Sequence, residues 1–222
     1  MEKSFNTSPE HRAFTLIELL VVIAVIALLA GLIIPITGAA KRHQILSRAR
    51  SELNQVITAI QVYKTKKGFY PPADKTNPMM NPLYYELLGT KVDANGIYTT
   101  LDGAAQINST TCNSIFMVTG FANSTKGGGD EGERAINFLG KGLRVGQYLV
   151  IPVGGRQVTI LGTTVEGPNM LAGQTPGTKI NPWRYNSSTP TNNPESFDLW
   201  VDVKVGGKTN RISNWRDKPI VL

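Results

Sequence analysis

A long uncharged run near the N-terminus limits what this chain can fold into. No charged side chain occurs from Leu19 to Ala40, and a helix of that length, at ~1.5 Å per residue, covers the ~30 Å hydrocarbon core of a bilayer. One carboxylate, Glu18, lies at the start of the run. A charge inside a membrane is costly, so such a residue usually has a function and a partner. Because no Lys or Arg follows within the run, we expect the partner of Glu18 outside its own helix.

The residues around Glu18 resemble a known processing site. The segment from Ala13 to Glu18, AFTLIE, with the apolar residues behind it, is similar to the cleavage and methylation site of type IV pilin precursors and of type II secretion pseudopilins. The resemblance implies that prepilin peptidase cuts between Ala13 and Phe14 and methylates the new amine of Phe14. It implies that Glu18 neutralises the N-terminal amine of a neighbouring subunit. Pro35, which favours a kink, lies where pilin helices commonly have proline. The family usually has Gly at the position of Ala13, which is also small.

The apolar run also fits a secretory signal peptide or an ordinary single-span anchor. A signal peptide would be cut after small residues such as those at Gly38-Ala39-Ala40, but its apolar region is usually ~7 to 15 residues long and has no leading carboxylate. A single-span anchor fits the length and leaves Glu18 unexplained. The basic residues that follow the run, Lys41 and Arg42 first, would by themselves place the next domain in the cytoplasm. The resemblance implies the periplasm, which we expect because pilin-like proteins commonly depart from that rule.

Composition predicts one ordinary domain behind the apolar run and no catalysis. The chain has 222 residues and a formal net charge of +7, which we attribute to solvation and contact with lipid headgroups. Cys112 is the single cysteine, so no intramolecular disulfide forms. The two histidines, His11 and His43, precede the domain, which excludes a Ser-His or Cys-His pair and a histidine metal site within it. We therefore predict that the protein is not an enzyme.

The first helix is predicted to continue as an amphipathic segment to Lys67. Apolar residues recur at spacings of three and four from Ile45 to Tyr63, and polar residues, Arg50 among them, fill the other side. This pattern is typical of a helix that packs one face on a sheet. Lysines in the last turn suit the negative end of the helix dipole, and Gly68 suits a left-handed C-cap.

The remainder of the chain is predicted to contain one short helix and several strands. Asn81 is expected to be the N-cap of a helix that Gly89 closes. Two antiparallel strands are predicted at Leu143–Val153 and Gln157–Val165. Alternation from Phe197 to Val205 predicts a half-buried strand with Asp198 and Asp202 on its polar side. Gly206-Gly207 then turns the chain into a hairpin partner at Lys208–Ile212.

The C-terminal half extends the resemblance to the major pseudopilin of type II secretion. The landmarks are Gly68-Phe69-Tyr70-Pro71, Asn181-Pro182-Trp183 with Tyr185, Phe197-Asp198-Leu199-Trp200 and Ile212-Ser213-Asn214-Trp215. Two departures matter. The segment 74–142 is longer than in compact members, and the acidic calcium loop of the family is replaced by the segment 205–211. Calcium prefers several anionic oxygen ligands, so we expect no family-type calcium site and no other cofactor.

These observations predict an α+β fold in which a long N-terminal transmembrane and amphipathic helix packs on a small antiparallel β-sheet. The predicted ranges are a leader at 1–13, a transmembrane and filament-core helix at 14–40, its amphipathic continuation at 41–67 and a periplasmic domain at 68–222.

The resemblance implies a structural subunit of a type II secretion pseudopilus, anchored in the inner membrane by one span and then assembled into a periplasmic filament for protein export. The implied partners are copies of the chain, prepilin peptidase, the inner-membrane assembly platform, minor pseudopilins and the lipid bilayer. No nucleic acid is expected. A surface type IV pilin for adhesion, motility or DNA uptake, and a secreted binding domain with a signal peptide, remain alternatives.

Overall fold

The computed structural model describes residues 14–74, 76–126, 134–140, 143–168 and 181–222, with the backbone alone at 31–37. The chain forms two compact units, residues 1–43 and 44–222. Helix α1 (Leu16–Lys67) begins in the first unit and ends in the second. Within the described ranges, no helix combines the length and the apolarity needed to cross a membrane. The predicted leader, with Ala13, lies outside the described residues.

In the second unit, α1 buries one face in the domain core, as the apolar spacing predicts. The fully or nearly fully buried side chains of this face are Ala49, Leu53, Val56, Ala59, Ile60 and Tyr63. They share one hydrophobic core with residues of the strands. The helix ends before Gly68, whose φ is +83° and whose N–H donates to the carbonyl of Lys64 at 2.9 Å. The left-handed C-cap predicted at Gly68 is therefore confirmed.

The described residues of the long segment 74–142 form a mixed sheet and two helices, whereas the sequence predicted only one helix there. The elements are α2 (Leu83–Leu88), β1 (Thr90–Val92), β2 (Ile97–Thr100), β3 (Gln106–Asn108), α3 (Ser109–Phe116) and β4 (Ser124–Lys126). The sheet order is β3-β2-β1-β4, and β1 pairs with β4 in parallel. Strands of three or four residues are too short to show a clear period of two, so the sequence pattern did not reveal them.

The N-cap predicted for α2 is wrong. Pro82 occupies that position without a side-chain cap. The amide of Asn81 instead donates to the carbonyl of Trp183 at 2.8 Å, while its oxygen accepts from the N–H of Leu83 at 3.3 Å. The Asn81 side chain, which the sequence pattern assigned to the start of α2, thus also bonds to a residue far away in the chain.

Two further sheets follow in the chain. The three-stranded sheet contains β5 (Tyr148–Val153), β6 (Arg156–Thr163) and β7 (Asn181–Pro182), in that order, all antiparallel. The four-stranded antiparallel sheet has the order β11-β10-β9-β8 and contains β8 (Arg184–Asn186), β9 (Asp198–Val205), β10 (Lys208–Ser213) and β11 (Arg216–Val221). The predicted hairpins β5–β6 and β9–β10 are confirmed, and so is the α+β class. The prediction of a single small antiparallel sheet is wrong, because the described residues form three sheets, one of them mixed.

Its place on the polar side of the predicted helix implied that Arg50 faces solvent. In the structure its side chain instead contacts the C-terminal hairpin. Its guanidinium donates to three carbonyl oxygens, those of Ser213, Arg216 and Asp217, each at 2.7 Å. These oxygens lie where β10 turns into β11. The C-terminal hairpin is therefore fastened to α1 by one side chain, a contact between residues far apart in sequence that helical periodicity does not reveal.

Candidate functional site

The start of α1 is fixed by a reciprocal pair of residues, Thr15 and Glu18. The Glu18 carboxylate accepts from the Thr15 backbone N–H at 2.9 Å and from its hydroxyl at 2.7 Å. In return, the Glu18 N–H donates to the Thr15 hydroxyl oxygen at 3.3 Å. This is a capping box, in which two otherwise unpaired backbone donors of a helix start are satisfied. Sequence reasoning missed Thr15, although Thr-x-x-Glu before an apolar run is a recognised signal.

Of the four predicted site residues, the structure describes the side chains of two. Phe14 lies just before α1 in non-helical backbone, and Glu18 occupies the first turn. Pro35 lies within α1, where its side chain is outside the described residues, as is Ala13. The structure gives Glu18 a hydrogen-bonding partner at the N-cap of its own helix, and a cationic partner from another subunit stays a prediction.

Every described side chain of the first unit is exposed in the isolated chain. Phe14 is 84% exposed and Leu16 82%, and the large apolar residues as far as Leu29 are exposed by about half or more. At roughly 25 cal/mol per Å² of apolar surface, leaving this segment in water is costly. An exposed apolar surface of this extent marks contact with lipid or with another protein.

The two carboxylates of β9 are buried, although the sequence placed them on the polar side of a half-buried strand. Asp198 is 3% exposed. Its carboxylate accepts from the backbone N–H groups of Thr191, Asn192 and Asn193, each at 2.9 Å, and from the Asn192 amide at 3.0 Å. Asp198 therefore holds the loop that leads into β9, and its oxygens are already occupied by donors.

Asp202 is paired with arginine rather than exposed to solvent. Its carboxylate accepts from Arg211 Nε at 2.7 Å and from Nη2 at 3.0 Å, and Arg184 Nη2 lies 4.0 Å away. Arg211 therefore neutralises Asp202 through a direct bidentate ion pair. Among the described residues, no group of three or more His, Cys, Asp or Glu side chains is placed to hold a metal ion.

Cys112 has the properties of a packed core residue. It is fully buried, and burial raises the pKa of its thiol to about 12. A thiolate is the nucleophilic form of cysteine, so this side chain is unsuited to nucleophilic chemistry near neutral pH.

Glu86 is a buried carboxylate that sequence reasoning missed. It is 0% exposed and accepts from the N–H of Ala122 at 2.8 Å, the N–H of Asn123 at 2.9 Å and the hydroxyl of Tyr63 at 2.9 Å. The Asn123 amide donates back to the carbonyl of Glu86 at 2.7 Å. This network joins α1, α2 and the segment before β4. A lone Glu in the apolar helix sequence LYYELL was the available signal.

The comparisons with known proteins concern the N-terminal segment. The family described as the prokaryotic N-terminal methylation motif matches residues 10–34. Comparison with curated proteins and with solved structures finds no significant match to this chain. The matched residues include Phe14, the capping box and the exposed apolar start of α1. The chain thus carries a prepilin-type N-terminal methylation motif, which indicates a type IV pilin-like structural subunit rather than a member of an enzyme family.

Proposed function

We propose that this protein is a structural subunit of a type II secretion pseudopilus. Prepilin peptidase cuts the precursor between Ala13 and Phe14 and methylates the new amine. The mature subunit is held in the inner membrane by the segment 14–40, with its domain in the periplasm. The assembly platform then extracts it into a filament that drives protein export.

The exposed apolar start of α1 carries this proposal. From Phe14 to Leu29 the large apolar side chains are exposed, and Glu18 is the one charged residue between Phe14 and Ala40. Lipid covers such a surface before assembly, and the same segments of neighbouring subunits cover it afterwards. A domain of 44–222 with its own core then decorates the filament.

Glu18 has two roles in this proposal. In the isolated chain its carboxylate caps α1 through Thr15. After processing, the new amine of a neighbouring Phe14 offers a positive charge, and an ion pair in a low-dielectric filament core is much stronger than in water. A carboxylate has about four acceptor positions, so capping and pairing are compatible.

The N-terminal peptide of the protein purified from its membrane tests the processing step. Mass analysis should find a mature chain that begins at Phe14 with a methylated amine. A chain that begins at Ala39 or Lys41 would support a cleaved signal peptide instead. A chain that retains residues 1–13 in the presence of active prepilin peptidase would overturn the proposal.

Deletion of the gene in its host distinguishes a pseudopilus from a surface pilus. We expect loss of exported proteins from the medium, restored by the wild-type chain, with surface filaments unchanged. Loss of surface filaments with normal protein export would instead identify a type IV pilin.

A further inference from the structure

Unsatisfied polar atoms form a row across strands β8, β9 and β10. Trp200 of β9 is paired in register with Arg184 of β8 on one side and with Ser213 of β10 on the other. Directly opposed residues of antiparallel strands project from the same face, so the three side chains share one face of the sheet. Arg184 Nη1, Trp200 Nε1 and Ser213 Oγ are buried and have no hydrogen-bond partner among the described residues. A buried polar group without a partner is destabilising, so the row lacks an acceptor.

The row lies beside an excess of positive charge. Asp202 is two residues beyond Trp200 and projects from the same face. It forms a bidentate pair with Arg211 at 2.7 and 3.0 Å, and Arg184 Nη2 lies 4.0 Å from the same carboxylate. Two guanidinium groups therefore share one carboxylate. Because the side chain of Arg184 is only 12% exposed, solvent screens its charge weakly.

We propose that this row binds one small oxyanion between Arg184 and Trp200, on the face of the C-terminal sheet from which these side chains project. The guanidinium and indole N–H groups donate only, and the Ser213 hydroxyl can donate, which matches an oxyanion that only accepts. A cation is disfavoured by the two arginines. A water molecule would satisfy the donors but would leave one positive charge uncompensated. Phosphate, sulfate and carboxylate groups have the required chemistry.

Three side chains in or beside the row are partly exposed to solvent. Trp200, Arg211 and Trp215 are each half-buried. The ring of Trp215 meets that of Trp200 edge-on at 5.6 Å, and the Arg211 guanidinium lies 5.9 Å from the centre of the Trp200 ring. The proposed anion site contains only residues of the second unit and is independent of the filament function.

Indole N–H signals in nuclear magnetic resonance spectra test the proposal on the full chain in uncharged detergent micelles. The chain has three tryptophans, and single Trp→Phe variants assign their signals. Titration with inorganic phosphate, at an ionic strength held constant with chloride, should shift the Trp200 signal saturably. Trp183, which is 1% exposed in the core, is the internal reference and should not move. The absence of a saturable Trp200 shift would overturn the proposal.

Variants of two cations identify the groups that hold the anion. Arg184→Gln should abolish the phosphate-dependent shift, whereas Lys204→Gln, which removes an exposed cation of the same sheet, should retain it. Equal shifts in wild type and in Arg184→Gln would overturn the proposal. Arg184→Lys keeps the charge but loses the planar donor fork, so it should bind phosphate more weakly than wild type. This variant replaces Arg184→Gln in the test if Arg184→Gln does not fold.

A parallel titration with acetate identifies the source of the anion. A shift with phosphate alone supports a site for a free inorganic oxyanion. A shift with acetate as well supports a site that also accepts the carboxylate of another molecule. No saturable shift with either anion contradicts the inference.

Discussion

The hydroxyl of Tyr63 donates to the buried carboxylate of Glu86 at 2.9 Å, and this contact joins α1 to α2 inside the core. Tyr63→Phe removes that donor and leaves the carboxylate with its two backbone donors. Because one intramolecular hydrogen bond contributes about 0.5 to 1.5 kcal/mol net, we expect a loss of that order in the free energy of unfolding. Thermal melts of the full chain in detergent measure it. Tyr70→Phe, which loses a half-buried contact with Ser196 at 3.1 Å, is the control and should cost less.

The stability of the domain should depend on pH through Glu86. Burial raises the pKa of Glu86. The hydrogen bonds from Ala122, Asn123 and Tyr63 and the charge of Lys67 lower it, but their combined effect is smaller, so the pKa is raised overall. The folded state therefore favours the protonated acid relative to the unfolded state. This contribution is fully present below the unfolded pKa of ~4.3 and is lost as the pH rises through the folded pKa.

Comparison with Glu86→Gln isolates this effect, because the glutamine side chain does not ionise. Wild type should have its largest advantage in melting temperature over the variant at acidic pH, and the difference should shrink as the pH rises. A difference that grows from acidic to neutral pH would show that the hydrogen bonds outweigh burial.

Arg50 should stabilise the C-terminal hairpin. Arg50→Met removes three hydrogen bonds to the carbonyls of Ser213, Arg216 and Asp217, and we expect a loss of about 1.5 to 3 kcal/mol. Amide hydrogen exchange should become faster in β11 before it does so in β6. Arg48→Met is the matched control, because Arg48 is 58% exposed in its ion pair with Glu52. Such a pair contributes about 0 to 1 kcal/mol. Equal effects of the two variants would contradict the assignment.

Glu18 and Thr15 should have separable effects on assembly. Glu18→Ala removes both the helix cap and the charge, so we expect normal membrane insertion but no filament when no wild-type subunit is present. Thr15→Ala removes the cap and keeps the carboxylate; it should cost about 0.5 to 2 kcal/mol of helix stability and still allow assembly. Crosslinking of subunits in membranes measures both. Ladders of normal length in Glu18→Ala would contradict a role for its charge.

We predict that calcium does not stabilise the domain. The carboxylates of Asp198 and Asp202 are already occupied by backbone donors and by Arg211. A ligand at a hundredfold excess over its Kd would stabilise the folded state by about 2.7 kcal/mol. Melting temperatures with excess calcium and with chelator should therefore agree, and a shift of several degrees would reveal a calcium site.

The sequence by itself determined the features that depend on neighbours along the chain. The apolar spacing from Ile45 to Tyr63, the C-cap at Gly68 and the β9–β10 hairpin at Gly206-Gly207 follow from local backbone preferences and from periodicity, and the structure confirms them. The Thr15–Glu18 capping box is equally local and was readable in the sequence.

Only the tertiary structure decided how the polar side chains of the domain are paired. Asp198 and Asp202 have the alternation of a solvated strand face, yet a loop and two arginines bury them. Glu86 finds its donors about 23 and 36 residues away along the chain, and Arg50 finds its acceptors more than 160 residues away. A buried charge is costly unless it is paired, and its partner can come from any part of the chain that the fold brings near. The spacing of residues along the sequence therefore does not predict that partner.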